Sequence, residues 1–333
     1  MILPPNPANV ALAAALLHAG DVVAFPTETV YGLGADATNP DAVARIFEVK
    51  GRPRFDPLIV HVASLAHVYP LVRAIPPAAL RLAERFWPGP LTIVLPKTDR
   101  VPDIVTAGLS TVALRVPDHP VALDLLRAAP GPLAAPSANP FGYVSPTRAD
   151  HVDEQIGTRV PLVLDGGPCR VGIESTIITF VDDNPALLRP GGIPAEEIED
   201  IAGPIRTVSI AAAERVAAPG QLPSHYAPRT PLTLVGSVAG IPPTARAHAA
   251  LLACTPVADV SGFAHVEVLA GEGELRRAAA DLFAALRRLD ASGYTRLFAV
   301  AVPERGLGRA IMDRLRRAAA AASPAPSLRP TLE

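Results

Sequence analysis

The stretch DVVAFPTETVYGLGAD, residues 21–36, decides the reading of the fold. Residues 21–26 are a short apolar run closed by Pro26, the pattern of a strand buried inside a sheet. Residues 27–36 combine hydroxyls with Gly32 and Gly34 and read as a loop leaving that strand's end. Asn39-Pro40 then starts a helix, with Asn as cap and Pro in the first turn. Ala42, Val43, Ile46 and Phe47 give that helix its apolar face, and PLIVHVA, residues 57–63, is the next strand. Strand, loop, helix, strand points to an α/β or α+β domain.

The pattern continues on both sides. A helix at 8–19 precedes the stretch, and strand-like runs follow at 91–96, 112–117, 132–138, 160–167, 175–181 and 185–191. Helical stretches at about 64–73, 76–86, 120–128 and 147–156 lie between some of them, so the sequence predicts a large mixed sheet. Residues 211–231 carry Pro, Gly and Ser with little apolar periodicity and mark a linker. Strands at 232–236, near 256–260 and at 297–303, with helices near 244–253, at 273–291 and near 307–321, predict a small parallel α/β domain beyond it.

Composition narrows the function classes. Nearly half of the 333 residues are apolar, enough for a large core. The formal charge of −2 demands neither nucleic acid nor an acidic membrane. Residues 1–205 hold 15 basic and 22 acidic residues, whereas 206–333 hold 15 and 10, so only the second part is basic. Cys169 and Cys254 stand far apart without ligand-spaced partners, which excludes a zinc ribbon and argues against a disulfide framework. There is no N-terminal export signal and no uninterrupted apolar run of about 18 residues, so a soluble, cytoplasmic protein without a membrane role is expected.

Candidate chemistry gathers in loops at strand ends, where α/β sheets bind ligands. The loop 26–34 offers the hydroxyls of Thr27, Thr29 and Tyr31. VKGRPRFDP (49–57) sets Lys50, Arg52 and Arg54 between core elements; Lys neutralises phosphate as a point charge and Arg grips it bidentately. APSANPFGYVSPT (135–147) presents hydroxyls and backbone N–H groups to anions. DGGPCRVGIEST (165–176) is Gly-rich, and in LLRPG (187–191) Arg189 ends a buried strand, where a cation needs a partner or a ligand. Each stretch alone is commoner as an ordinary turn. Together they describe one cavity for a phosphorylated ligand beside a small polar one. There is no P-loop, no H-E-x-x-H, no metal-type carboxylate cluster and no full dinucleotide fingerprint.

PTETVYGLG, KGRPRFDPLIVH, WPGPLT, TVALRVPDHP, APSAN, SPT, DGG, GIEST, LLRPG and HYAP occur in the order seen in the threonylcarbamoyl-AMP synthase family, and the chain resembles it from about Asp21 to Pro228. The resemblance implies a YrdC-type catalytic domain over 1–208, a twisted mixed sheet around a deep cavity. It further implies a linker containing HYAP at 209–231, a smaller parallel, Rossmann-like α/β domain at 232–321, and a tail at 322–333. The implied reaction condenses L-threonine, bicarbonate (or CO2) and ATP, with Mg2+, into threonylcarbamoyl-AMP and pyrophosphate. Partner proteins then transfer the threonylcarbamoyl group to the adenosine next to the anticodon of tRNAs, so tRNA is met indirectly.

By matched position, the resemblance implies threonine contacts from Thr29, His61, Arg115, Ala135 and Ser175. It implies ATP contacts from Lys50, Arg52, Asp56, Thr111, Ser137, Ser145, Arg189 and Tyr226, with Lys50 and Arg52 also acting on the departing pyrophosphate. No protein metal site is expected. Tyr226 would fold over the cavity as part of a lid that excludes water. Asp56 departs from the family, which commonly has Asn there; an acid beside phosphates needs Mg2+ or an Arg to neutralise it. Two other readings compete. Hydrogenase-maturation enzymes with a YrdC-like domain carry zinc fingers, which two isolated cysteines exclude. An RNA-binding regulatory protein would need a basic face on the acidic first domain.

Overall fold

The computed structural model describes residues 1–53, 56–181, 183–207 and 225–320. In chain order the first domain holds β1 (Ile2–Leu3), α1 (Pro7–His18), β2 (Val23–Phe25), β3 (Gly32–Asp36), α2 (Pro40–Lys50), β4 (Ile59–His61), α3 (Pro77–Phe86), β5 (Leu91–Pro96), α4 (Asp103–Thr106), β6 (Thr111–Arg115), α5 (Pro120–Ala128), β7 (Leu133–Ala134), α6 (Ala149–Ile156), β8 (Leu162–Leu164), β9 (Thr176–Val181), β10 (Asn184–Arg189), α7 (Ala195–Ala202) and β11 (Arg206–Thr207). The second holds β12 (Leu232–Val235), α8 (Pro243–Arg246), β13 (Ala249–Ala253), β14 (His265–Val268), α9 (Leu275–Ala291), β15 (Arg296–Val300) and α10 (Leu307–Ala320).

The first domain is one 11-stranded mixed sheet in the order β1-β8-β2-β3-β7-β4-β6-β5-β9-β10-β11. The second is a four-stranded parallel sheet, β12-β15-β13-β14. The α/β character and the two-sheet organisation are as the sequence predicts. Local chemistry explains the elements. In α2 the Asn39 side chain accepts from the amides of Asp41 (3.0 Å) and Ala42 (3.3 Å), Pro40 opens the first turn, and Gly51 closes the helix at φ 61°. The expected 209–231 linker and 322–333 tail lie largely outside the described residues.

Four local expectations are corrected. The loop expected over 27–36 ends early, because Gly32–Asp36 is β3, antiparallel to β2. Gly34 is there for packing: a Cβ on it would sit 2.8 Å from the Phe25 ring. The helix expected at 64–73 is two short 3₁₀ turns, Leu65–His67 and Tyr69–Leu71, with Pro70 inside the second. The helix expected at 244–253 is the four-residue α8 followed by β13, and the strand expected near 256–260 appears later as β14. β13 is buried throughout, so its continuous apolar run mimics a buried helix.

The two domains share a hydrophobic core. Val30, Val144, Ile173 and Tyr226 pack in one cluster with Leu282, Phe283, Leu286, Ile311 and Leu315. The backbones approach closely at Gly172 (φ 71°), where a Cβ would lie 2.2 Å from the carbonyl oxygen of Ala280 in α9. Gly172→Ala combines a positive-φ penalty with overpacking against backbone that cannot yield. It should cost about 3 kcal/mol. Urea denaturation checks this, and a variant of unchanged stability would refute the close approach.

Candidate active site

The site lies at the loops Pro26–Val30, Ala135–Ser137 and Glu174–Ser175, the end of β10, and the pair His225-Tyr226. At the first loop Thr27 Oγ accepts from the amides of Thr29 and Val30 (both 3.2 Å) and donates to the Val30 carbonyl (2.6 Å). That turn fixes the Thr29 hydroxyl, 2.8 Å from Thr27 Oγ.

His61 and Arg115 come together through sheet register. β4 and β6 are parallel with His61 opposite Arg115, so both side chains project from the same face. Both are buried. Burial, then the adjacent Arg115 guanidinium, push the His61 imidazole down to about 3, so it is neutral near pH 7. Arg115 is held from behind by Glu28, which is fully buried at 2.7 Å.

The nucleotide half expected from the sequence is arranged similarly. Arg52 is buried and ion-paired with Asp56 at 2.8 Å. Arg189 ends β10 and donates to the Ser175 carbonyl (2.9 Å) and hydroxyl (3.2 Å), while the Ser175 hydroxyl meets Thr92 Oγ at 2.7 Å. The Ser145 hydroxyl donates to Glu174 at 2.6 Å. Tyr226, at φ 61°, is buried edge-on to His225 and stacked on Phe283 of α9.

Thr29, His61, Arg115, Ala135 and Ser175 therefore line one cavity, together with Arg52, Ser137, Arg189 and Tyr226. Lys50, Asp56, Thr111 and Ser145 are not among the residues that line this cavity. The Lys50 ammonium is spent on the backbone carbonyls of Ser137 and Asn139, so it shapes the loop that carries Ser137. Burial and the neighbouring Arg52 pull its pKa well down. Asp56 sits behind Arg52, which is the neutralising arginine its acid required. Ser145 faces Glu174, and Thr111 is half-buried at the start of β6. Arg54 lies outside the described residues.

Sequence reasoning assigned no role to Glu28, Glu174 or His225. The last two line the cavity, and Glu28 backs it. Among the described residues no cluster of three or more His, Cys, Asp or Glu could hold a metal. Glu174 is the one carboxylate on the described wall, and both its oxygens are engaged, by Ser145 and by Arg314 at 2.9 Å. No described helix is long and apolar enough to cross a membrane. A roomier groove of about 740 Å³, lined by Val62, Ala66, Leu71, Arg100, Leu126 and Pro130, lies away from all of these groups.

Buried arginines, a neutral histidine and hydroxyls at the strand ends of a mixed α/β sheet define a binding site for small anionic ligands, with the features of a nucleotide-dependent enzyme. Residues 15–191 match the Sua5/YciO/YrdC domain model, described as "Telomere recombination", and residues 193–320 match "Threonylcarbamoyl-AMP synthase, C-terminal domain". The chain is 44% identical over 327 residues to threonylcarbamoyl-AMP synthase of Bacillus subtilis, covering 95% of this chain and 94% of the relative. It is 43% identical over 320 residues to that of Pyrococcus abyssi, covering 93% and 94%. The crystal structure of P. abyssi Sua5 complexed with L-threonine superposes with a TM-score of 0.86 at 41% identity over 94% of each chain. The chain belongs to the threonylcarbamoyl-AMP synthase family.

The neutral His61 carries a pH prediction. Its pKa is about 3 in the folded protein against an ordinary 6.5, so the unfolded chain takes up the proton first. Stability that is full above pH 6.5 is lost as pH falls from 6.5 toward 3. At pH 5 the loss from this group is about 2 kcal/mol. His61→Gln should show a drop in unfolding free energy between pH 7 and pH 5 that is smaller by about that amount. An unaltered pH dependence would mean that His61 is not held neutral.

Proposed function

We propose that this chain is an L-threonylcarbamoyladenylate synthase. It condenses L-threonine, bicarbonate or CO2, and ATP into threonylcarbamoyl-AMP and pyrophosphate. In this reading the product supplies N6-threonylcarbamoyladenosine next to the anticodon of tRNAs, through separate cytoplasmic transfer proteins. The observation that carries the reading is the juxtaposition of Arg115, His61, Thr29 and Ser175 with Arg52, Ser137 and Arg189 in one cavity. It is supported by a relative whose structure contains L-threonine.

The chemistry follows from positioning and charge. Arg115 suits the threonine carboxylate by a charge-assisted contact. His61, being neutral, adds no second positive charge beside it. The neutral threonine amine adds to CO2, loses one proton to solvent and becomes an N-carboxylate; an oxygen of that carboxylate attacks the α-phosphate, the bond to the β-phosphate breaks, and pyrophosphate departs with its charge facing Arg52 and Arg189. Mg2+ would enter with ATP and supply charge neutralisation to the phosphates beside Arg52 and Arg189. Lys50 contributes by fixing the Ser137 loop.

The free space between these groups is about 50 Å³. Small-ligand pockets usually run from about 300 Å³ upward. In this reading His225 and Tyr226, which line that space, withdraw for ATP to enter and return over it. A closed cover of this kind shields the carbamate and the mixed anhydride from water.

Purified protein with ATP, bicarbonate and threonine should release pyrophosphate only when threonine is present; release independent of threonine would sink the reading. Arg115→Ala should raise KM for threonine about 10- to 100-fold, the factor equivalent to losing about 1.5–3 kcal/mol of charged hydrogen bonding. KM for ATP should stay nearly constant. Equal losses for both substrates would remove Arg115 from the carboxylate.

A further inference from the structure

Arg314 is the largest fully buried side chain in the described protein, and it comes from α10 of the second domain. A buried guanidinium is costly unless it is paired and hydrogen-bonded, so its partners indicate what it is for. Its Nε donates to Glu174 Oε2 at 2.9 Å, and Nη1 donates to the Pro190 carbonyl at 2.7 Å and to Asp313 at 2.9 Å. The guanidinium also lies 5.2 Å from the centre of the Tyr226 ring. One side chain of the second domain thus touches the Glu174–Ser175 loop, the end of β10 after Arg189, and the His225-Tyr226 segment. Through the other oxygen of Glu174 it reaches the Ser145 hydroxyl.

We infer that Arg314 is a positioning residue of the nucleotide site, acting through Glu174. Glu174 lines the cavity where, on the function proposed above, a triphosphate binds. An uncompensated carboxylate there repels phosphate. Arg314 cancels that charge and holds Glu174 in the orientation that accepts the Ser145 proton, which leaves the Ser145 oxygen lone pairs and the Arg189 end of β10 in fixed places. Glue between the domains would not require a carboxylate on the cavity wall. The apolar contacts of Leu282, Phe283 and Ile311 already supply adhesion. The second domain therefore completes the adenylation site from outside it.

The test is a charge-rescue cycle read by equilibrium binding, so that it does not depend on turnover. Binding of a non-hydrolysable ATP analogue and of L-threonine alone is measured by calorimetry for the full chain, R314M, E174Q and R314M/E174Q. R314M should weaken analogue binding about 10-fold or more while threonine affinity stays nearly constant. The double variant should recover to close to E174Q alone, because without Glu174 no carboxylate is left on the described cavity wall for Arg314 to cancel, and Asp313 keeps its pairing with Arg317. Unchanged analogue affinity in R314M, equal loss of both ligands, or failure of E174Q to rescue would each overturn the inference. Should R314M not fold, R314K and R314K/E174Q give the same cycle: lysine keeps the charge but loses the planar fork, so a smaller analogue-specific loss, again rescued, is expected. If the unaltered protein binds the analogue but releases no threonine-dependent pyrophosphate, the proposed reaction fails while this cycle still reads Arg314.

Discussion

The constraint on which the site depends is that a guanidinium taken out of water must bring its counter-charge with it. Arg115 has Glu28 at 2.7 Å, Arg52 has Asp56 at 2.8 Å, and Arg314 has Glu174 at 2.9 Å, with all three arginines buried. Breaking such a pair leaves a naked buried charge, at a cost of about 3–5 kcal/mol. The pairs therefore hold the arginines in place before any substrate arrives. The cost of desolvating and orienting the cations is met during folding, which is what electrostatic preorganisation requires. Asp56, anomalous beside a nucleotide when read alone, becomes an anchor for Arg52.

The sheet supplies the geometry that the charges need. Parallel register between β4 and β6 sets His61 beside Arg115, and the Gly32–Ser137 bridge ties the start of β3 to the loop carrying Ser137. Lys50, at the end of α2, locks that loop from below through two carbonyls. Five of the ligand-facing groups, His61, Arg115, Ala135, Ser175 and Arg189, sit at or within one residue of a strand end, so the sheet sets their places directly.

The sequence conveyed much of this and concealed a definable remainder. Short apolar runs and turn chemistry marked most strands, and Asn39-Pro40 announced α2, because these signals are local. The errors arose where long-range packing overrode local pattern. GLGAD reads as loop until the Phe25 ring demands a glycine beside it. AALLA reads as helix until it is central in a sheet covered on both faces. Motif matching found the groups on the wall but not what stands behind them. Glu28 was passed over between two threonines, and Glu174 beside Ser175. Arg314 had no local signal at all, since an arginine in an amphipathic helix ordinarily faces solvent.

The shared core between the domains also decides how the site can open. Separating the domains would expose Val30, Val144 and Ile173 together with Leu282, Phe283, Leu286 and Ile311, and would strip Arg287 of its bonds to the Ser145 and Val144 carbonyls. At roughly 1.5–3 kcal/mol for each large apolar side chain, that motion costs about 10–20 kcal/mol, comparable to the whole stability of a typical domain. Withdrawing His225 and Tyr226 uncovers one buried aromatic of that cluster and disturbs its stack on Phe283, its contact with Arg314, the edge contact of His225 with Phe141 and the backbone bonds of His225 to Arg317 and Ala227 to Gly142. Ring contacts of this type add about 0.5–1.5 kcal/mol beyond the area they bury. In the reading proposed above, access falls to His225 and Tyr226 rather than to separation of the domains. Arg314, which pairs with Glu174, also lies against the Tyr226 ring, so one side chain of the second domain contacts both the cavity wall and the segment that covers it.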